Sequence, residues 1–159
     1  MPAPWCAACA TKNASDAMIY LDTSALVKLV RLEPESEDLA DWLDGRTEIR
    51  WITSAVAEVE LPRAIIRAGQ LDALAALPAV LDRLDRFEID PVVRSTAAAF
   101  QDPALRSVDA IHLATASIAG SLASLEAFVT YDEALAEASH KLGIEAVAPG
   151  ISAGGAGIS

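Results

Sequence analysis

The sequence predicts an α/β fold in which a central parallel sheet is covered by helices on both faces. Short apolar runs typical of buried strands alternate along the chain with longer stretches of helical periodicity. This alternation indicates a parallel sheet that is covered on both faces. The chain has 159 residues, which suits one domain with its own core. We therefore expect one domain at residues 18–149, between an N-terminal extension at 1–17 and a glycine-rich tail at 150–159.

Five strands are predicted from short apolar runs that are bounded by turn or cap residues. The predicted strands lie at residues 19–22, 50–53, 88–90, 127–132 and 144–147. In an open parallel sheet, the carboxyl ends of the strands form the edge at which α/β proteins place their sites. Asp22 and Asp132 end two of the predicted strands, and we expect them to share that edge.

Helices are predicted between the strands from the 3.6-residue period, from cap residues and from the glycines that end them. Thr23 or Ser24 caps the first helix, Ser36 caps the second, and Gly69 ends the third. The predicted helices cover residues 23–32, 36–43, 54–68, 71–87, 92–100, 107–119 and 133–142.

The charge balance argues against a general attraction to nucleic acid, because the net charge is −11 and the isoelectric point is about 4.4. A nucleic-acid substrate would need a metal ion and a local basic patch. Arg63 and Arg67, spaced i and i+4 on one predicted helix, could supply part of that patch. The acidic surface fits a basic protein partner better than it fits DNA.

Cys6 and Cys9 form a single CxxC close to the N-terminus. A redox CxxC follows a strand in a βαβ unit, and a four-ligand zinc site needs two such pairs. Neither context is present, so we expect no redox or zinc role. No apolar run is long enough to span a bilayer and no signal peptide is visible, so we expect a cytoplasmic protein without a membrane partner.

Four acidic residues lie at predicted element ends, where a carboxylate has little structural reason to be. They are Asp22, Asp109, Asp132 and, on the helix at 54–68, either Glu58 or Glu60. Four carboxylates in one place repel each other unless a cation lies between them. Oxygen ligands without Cys or His partners suit Mg²⁺ or Mn²⁺. The pattern therefore predicts a metal-dependent phosphodiesterase.

Three neighbouring side chains are candidates for supporting roles. The hydroxyl of Thr23 or Ser24 could bind a phosphate oxygen or the water of a metal ion, and His112 could orient Asp109 or a bound phosphate. Structural roles are open as well. Acids at helix starts serve as caps and complement the helix dipole, and a lone histidine on an apolar helix is more often a core residue.

Four stretches, taken in order, resemble PIN-domain proteins and in particular VapC-type toxin ribonucleases. They are MIYLDTSALVKL, TSAVAEVELPRA, LRSVDAIHLATA and FVTYDEALAEASHKLGIEAVAPG, within about residues 18–149. In that family the second acid belongs to an E-L-x-R pattern, which here falls on Glu60-Leu61-Pro62-Arg63. The resemblance thus selects Glu60 over Glu58 and adds Arg63. Ser24 matches a small hydroxyl residue that family members often carry.

The resemblance implies a PIN-like three-layer sandwich and a Mg²⁺- or Mn²⁺-dependent endoribonuclease toxin. Asp22, Glu60, Asp109 and Asp132 would be its catalytic metal ligands, supported by Thr23, Ser24, Arg63 and His112. Its RNA substrate would be a structured cellular RNA, tRNA or rRNA. A VapB-type antitoxin would neutralise it, the chain would form a homodimer, and the complex would bind its own promoter through the antitoxin.

Three other classes share parts of this pattern. A catalytically silent PIN-fold module would act only through antitoxin docking and promoter regulation, but such a module has no reason to keep four acids. A response-regulator receiver needs an acidic pair at the end of the first strand, where this chain has the single Asp22. A haloacid-dehalogenase-like phosphatase needs a second acid at the position of Ser24.

Overall fold

A computed structural model describes residues 16–151 of the chain, and these residues form one parallel sheet between two layers of helices. The strands are β1 Ala17–Leu21, β2 Arg50–Ser54, β3 Asp85–Phe87, β4 Ser124–Val129 and β5 Ala146–Val147. Their spatial order is β3-β2-β1-β4-β5, and every neighbouring pair is parallel. The predicted fold class is confirmed.

Seven α-helices and one short 3₁₀ helix connect the strands in the described part of the chain. They are α1 Thr23–Val30, α2 Ser36–Asp44, α3 Ala57–Arg67, the 3₁₀ helix Leu71–Ala76, α4 Leu77–Leu81, α5 Pro91–Ala99, α6 Ser107–Leu122 and α7 Glu133–Lys141. Between residues 16 and 151, none of the helices is both long enough and apolar enough to cross a lipid bilayer.

The central strand β1 supplies side chains to both cores because successive side chains of a strand point to opposite faces. Ile19 and Leu21 pack into a cluster with residues of α1, α2 and α3. Met18 and Tyr20 pack on the other face, with residues of α6 and α7. All four side chains are at most 2% exposed, so the end of β1 is held firmly from both sides.

The prediction of one helix across residues 71–87 is wrong, and the strand predicted at 88–90 lies three residues too late. Pro78 lies in the first turn of α4, where its missing N–H is tolerated, so a new helix starts there. Residues 85–87 form β3 beside β2. Asp90 instead caps α5, where its Oδ1 accepts the Val93 N–H at 2.8 Å.

Other predicted boundaries also differ from the structure. Helix α3 starts at Ala57 rather than at residue 54, because Ser54 still belongs to β2, and it continues through Pro62. Strand β4 ends at Val129 rather than at residue 132, because the chain turns out of the sheet to begin α7. Asp132 is therefore a helix cap and not a strand end.

Residues 1–15 of the predicted N-terminal extension, with Cys6 and Cys9, and residues 152–159 of the predicted tail lie outside the described residues. The domain boundaries at 17/18 and 149/150 therefore stay predictions.

Candidate functional site

Asp22 lies directly after the central strand and is almost fully buried, with 3% exposure. It is the N-cap of α1, and its Oδ1 accepts the Ala25 N–H at 3.0 Å. Ser24 donates its hydroxyl to the same oxygen at 2.6 Å, and Thr130 donates to Oδ2 at 2.7 Å. Burial raises the pKa of Asp22, although the charge of His112 and these hydrogen bonds oppose the shift.

The two hydroxyls that bind Asp22 also join the ends of β1 and β4. Ser24 Oγ accepts the Tyr131 N–H at 2.8 Å, and Thr130 Oγ1 accepts the Asp132 N–H at 3.1 Å. Asp132 Oδ1 in turn accepts the Leu135 N–H at 2.9 Å and caps α7. Asp22 and Asp132 thus lie at one edge of the sheet, linked through a single threonine.

Glu60 contacts the same region from α3. Its Oε2 accepts the hydroxyl of Thr23 at 2.6 Å and lies 2.7 Å from Nε2 of His112. Partial burial alone would raise the pKa of Glu60, but the hydrogen bonds from His112 and Thr23 and the charges of His112 and Arg106 outweigh it, so the pKa is lowered. Glu60 is therefore held as a carboxylate.

His112 connects Glu60 with the core. Its side chain is buried, and its Nδ1 lies 2.7 Å from the hydroxyl of Tyr20 on β1. Because a carboxylate only accepts hydrogen bonds, we assign the hydrogen on Nε2 to the contact with Glu60. In the neutral ring, Nδ1 then accepts the Tyr20 hydroxyl. Burial and the charge of Asp22 raise the pKa of Tyr20 well above its ordinary value, so this hydroxyl stays protonated.

Asp109 and Asp132 share one cation, the guanidinium of Arg106. Nε of Arg106 donates to Asp109 Oδ2 at 2.9 Å, and its Nη2 lies 3.4 Å from Asp132 Oδ2. The Arg106 side chain is 77% exposed. Its hydrogen bond to Asp109, followed by the charges of Asp109, Asp132 and Glu60, raises its pKa. The positive charge of Arg106 is thus close to three of the four predicted site acids.

The donor set fits a hard divalent cation in chemistry, but in the described arrangement it does not surround one point. Across residues 16–151, no three His, Cys, Asp or Glu side chains are placed so that together they could hold a metal ion. Instead, Arg106 lies between Asp109 and Asp132, where its positive charge offsets the repulsion between the two carboxylates. Carboxylate oxygens held by hydroxyls and backbone N–H groups are ligands of the kind that Mg²⁺ and Mn²⁺ prefer.

The side chains of Glu58 and Arg63, the two remaining candidates, make no hydrogen bond or ion pair with the other described site residues. Glu58 pairs with Arg86 at 2.9 Å and not with the site, whereas Glu60 contacts Thr23 and His112. Arg63 is exposed, and its side chain makes no hydrogen bond or ion pair with the described residues. Its supporting role stays a prediction.

Sequence reasoning missed Arg106, Thr130 and Tyr20 as neighbours of the acids. Arg106 lies three residues before Asp109 at a helix start, a spacing at which opposite charges meet. That signal was available in the sequence. Tyr20 and Thr130 reach the site only through the pairing of β1 with β4 and the packing of α6, which no local pattern specifies.

The chain is similar in sequence to proteins of one family. A family model described as the PIN domain matches residues 19–141. Ribonuclease VapC35 of Mycobacterium tuberculosis is 68% identical over 133 residues, which cover 84% of this chain and 98% of that protein.

Two solved structures have a similar fold at low identity. The crystal structure of VapC20 from Mycobacterium tuberculosis, described as a sarcin-ricin loop cleaving toxin, matches with a TM-score of 0.64 at 17% identity, covering 82% of this chain and 99% of that one. A structure of VapBC2 from Rickettsia felis bound to a DNA fragment from their promoter matches with a TM-score of 0.54 at 16% identity, covering 72% of this chain and 88% of that one.

Proposed function

Since this chain belongs to the PIN-domain family and is a VapC-type ribonuclease, we propose that it is a Mg²⁺- or Mn²⁺-dependent endoribonuclease toxin. The observation that carries this proposal is the placement of Asp22, Glu60, Asp109 and Asp132. They come from four different elements and are linked at one edge of the sheet through Thr23, Thr130 and Arg106. We assign the catalytic role to these four acids.

The metal ligands in this scheme are Asp22, Asp109, Asp132 and, directly or through water, Glu60. When bound, one or two such ions would ease deprotonation of a water and neutralise charge that develops on the phosphate. Hydrogen bonds within the chain hold two of these carboxylates in fixed positions. Hydroxyls and an N–H group fix both oxygens of Asp22, and Thr23 and His112 fix Glu60.

The ribose 2′-hydroxyl has no role in this scheme, because water is the nucleophile. We therefore expect products with a 5′-phosphate and a 3′-hydroxyl. The proposed substrate is a structured cellular RNA, either tRNA or rRNA. The description of VapC20 as a toxin that cleaves the sarcin-ricin loop supports this substrate class. We propose a cytoplasmic location for the protein, because the proposed substrates, tRNA and rRNA, are found in the cytoplasm.

The purified chain is expected to cut total cellular RNA into discrete fragments with Mn²⁺ and to leave it intact with EDTA. Asp109→Asn should abolish the cut, because the asparagine amide would supply a neutral ligand in place of a carboxylate. Fragment ends are mapped by sequencing, and folding of the variant is checked by circular dichroism. Equal cleavage by the folded Asp109→Asn variant would remove this acid from the mechanism. Absence of any cut by the folded wild-type chain with either metal would overturn the proposal.

We further propose that a VapB-type antitoxin neutralises the chain by placing basic side chains against these acids. The VapBC2 complex supports an antitoxin partner, and the net charge of −11 favours a basic partner surface. A homodimer, and promoter binding through the antitoxin, are proposed from the family resemblance.

An arginine-rich peptide is the probe for this docking hypothesis. Asp132 is 29% exposed in its side chain and can be reached by a partner. We expect Asp132→Asn to weaken peptide binding several-fold, because Asn keeps the helix cap but removes the charge. Raised salt should reduce the difference in peptide affinity between wild type and Asp132→Asn. Fluorescence anisotropy measures the affinity of each protein for the peptide. Asp41→Asn is the control, because it makes the same charge change at an exposed position. Equal loss in both variants would mean that only net charge matters and that the acids are not the docking site.

A further inference from the structure

We propose that Arg106 occupies the place of the divalent ion between Asp109 and Asp132 and, once the ion is bound, moves to bind a phosphate group of the RNA. This inference rests on the proposed function. Arg106 would thus have two alternating partners. In the protein without the ion it binds the site acids, and in the protein with bound ion and RNA it binds the substrate.

The geometry allows Arg106 to leave Asp109 and Asp132 and to bind another group. Arg106 reaches Asp109 with Nε and Asp132 with Nη2, while its side chain is 77% exposed. Exposed ion pairs of this kind generally contribute little to protein stability. A divalent ion carries twice the charge of a guanidinium and brings no side-chain entropy cost. The ion can therefore displace Arg106 from the two carboxylates.

The chemistry of the freed guanidinium favours phosphate as its second partner. Arginine carries five N–H donors in a planar fork, which matches two oxygens of a phosphate. In the described structure, Nη1 of Arg106 makes no hydrogen bond, so donors already face solvent.

Among residues 16–151, the basic side chains that contact any of the four acids are those of Arg106 and His112. His112 is buried and cannot reach a bound RNA. Arg106 is thus the basic side chain placed to contact the scissile region. The net charge of −11 makes such a local positive group important for RNA binding.

The test measures Mn²⁺ affinity by calorimetry without RNA, together with KM and kcat for RNA cleavage. Arg106→Gln should bind Mn²⁺ about two- to tenfold more tightly than wild type, because the competing charge is gone. Its KM for RNA should rise about tenfold with a smaller change in kcat. Arg106→Lys keeps the charge but not the fork, so it should keep the wild-type Mn²⁺ affinity and still raise KM.

Arg50→Gln is the matched control, because Arg50 is an exposed arginine that pairs with an aspartate, Asp85, at the amino end of the sheet. It should leave both measurements unchanged. If wild type binds Mn²⁺ and Arg106→Gln binds it no more tightly, Arg106 does not hold the position of the ion and the inference is overturned. An unchanged KM in both Arg106 variants overturns the phosphate contact. If the folded wild-type chain binds no Mn²⁺, the metal-dependent function itself fails, which is a different result.

Discussion

Replacing Asp22 with Asn is expected to reduce RNA cleavage by more than ~10²-fold, because even changes to groups that only orient a metal ligand cost 10–100-fold. Asp22 is the most buried of the four acids and lies between two hydroxyls and a backbone N–H. Asn retains an oxygen for the Ala25 N–H and the Ser24 hydroxyl, and its amide can donate to Thr130 Oγ1. The fold should therefore survive while the charge needed for the proposed metal binding is lost.

The same change is expected to stabilise the protein at neutral pH. The pKa of Asp22 in the folded protein is raised above its ordinary value of 3.8, mainly by burial. The folded state therefore holds this proton more tightly than the unfolded state, and ionisation of Asp22 lowers the free energy of unfolding as pH rises through the folded pKa. Asn avoids that loss. The advantage of Asp22→Asn should be present at pH 7 and disappear as pH falls below 3.8.

Thermal unfolding of wild type and Asp22→Asn between pH 3 and pH 8, without divalent ions, measures this difference. Asp41→Asn serves as the control, because it changes the net charge equally at an exposed position. A variant less stable than wild type at pH 7, with a gap that grows with pH, would mean that the charged form of Asp22 is favoured in the fold.

Replacing His112 with Ala is expected to lower the free energy of unfolding by about 2–4 kcal/mol, which combines a core cavity with a buried hydroxyl left without its partner. His112 is buried between Tyr20, Thr23 and Glu60, and its ring contacts that of Tyr20 edge to face at 5.9 Å between centroids. Cleavage should fall as well, because Glu60 keeps only the hydroxyl of Thr23.

A double-mutant cycle with Tyr20→Phe separates the hydrogen bond from the cavity. Tyr20 and His112 are direct partners. The double variant should therefore lose about 0.5–3 kcal/mol less unfolding free energy than the sum of the two single variants, as measured by chemical denaturation. His140→Ala is the control, since His140 is the other histidine of the chain and is exposed. Additive losses would show that the Tyr20–His112 contact contributes nothing to stability.

Much of the fold could be predicted because its strands are continuous apolar runs and its helices carry recognisable caps. The exact cap residue is harder to predict. The pattern indicates Thr23 or Ser24 as the cap of α1 and a strand that ends at Asp90, whereas Asp22 and Asp90 are the N-caps, and each accepts a backbone N–H three residues further on. The segment at 71–87 could not be predicted from periodicity. There β3 has only three residues, and it forms a strand because β2 lies beside it.

For the site, the sequence could indicate the candidate acids, but it could not indicate which side chains neutralise their charges. Glu58 and Glu60 point in different directions on α3, and the apolar stripe of that helix does not decide between them. The packing of α3 against α1 brings Glu60 to Thr23. The contact between His112 and Tyr20 joins residues 92 positions apart. Contacts of that range depend on the order of strands in the sheet, which local patterns do not encode.

The helix caps at Asp22 and Asp132 have a consequence for how this chain can change in evolution. Each accepts a backbone N–H at a helix start, and loss of such a cap typically costs about 0.5–2 kcal/mol. A descendant that stopped cutting RNA would still be selected to keep Asp, Asn or Ser at these two positions for stability alone. Glu60 and Asp109 accept no backbone N–H in the described structure. Under the catalytic roles proposed above, mutational drift at those two positions would therefore be the earlier sign that a lineage has lost its nuclease.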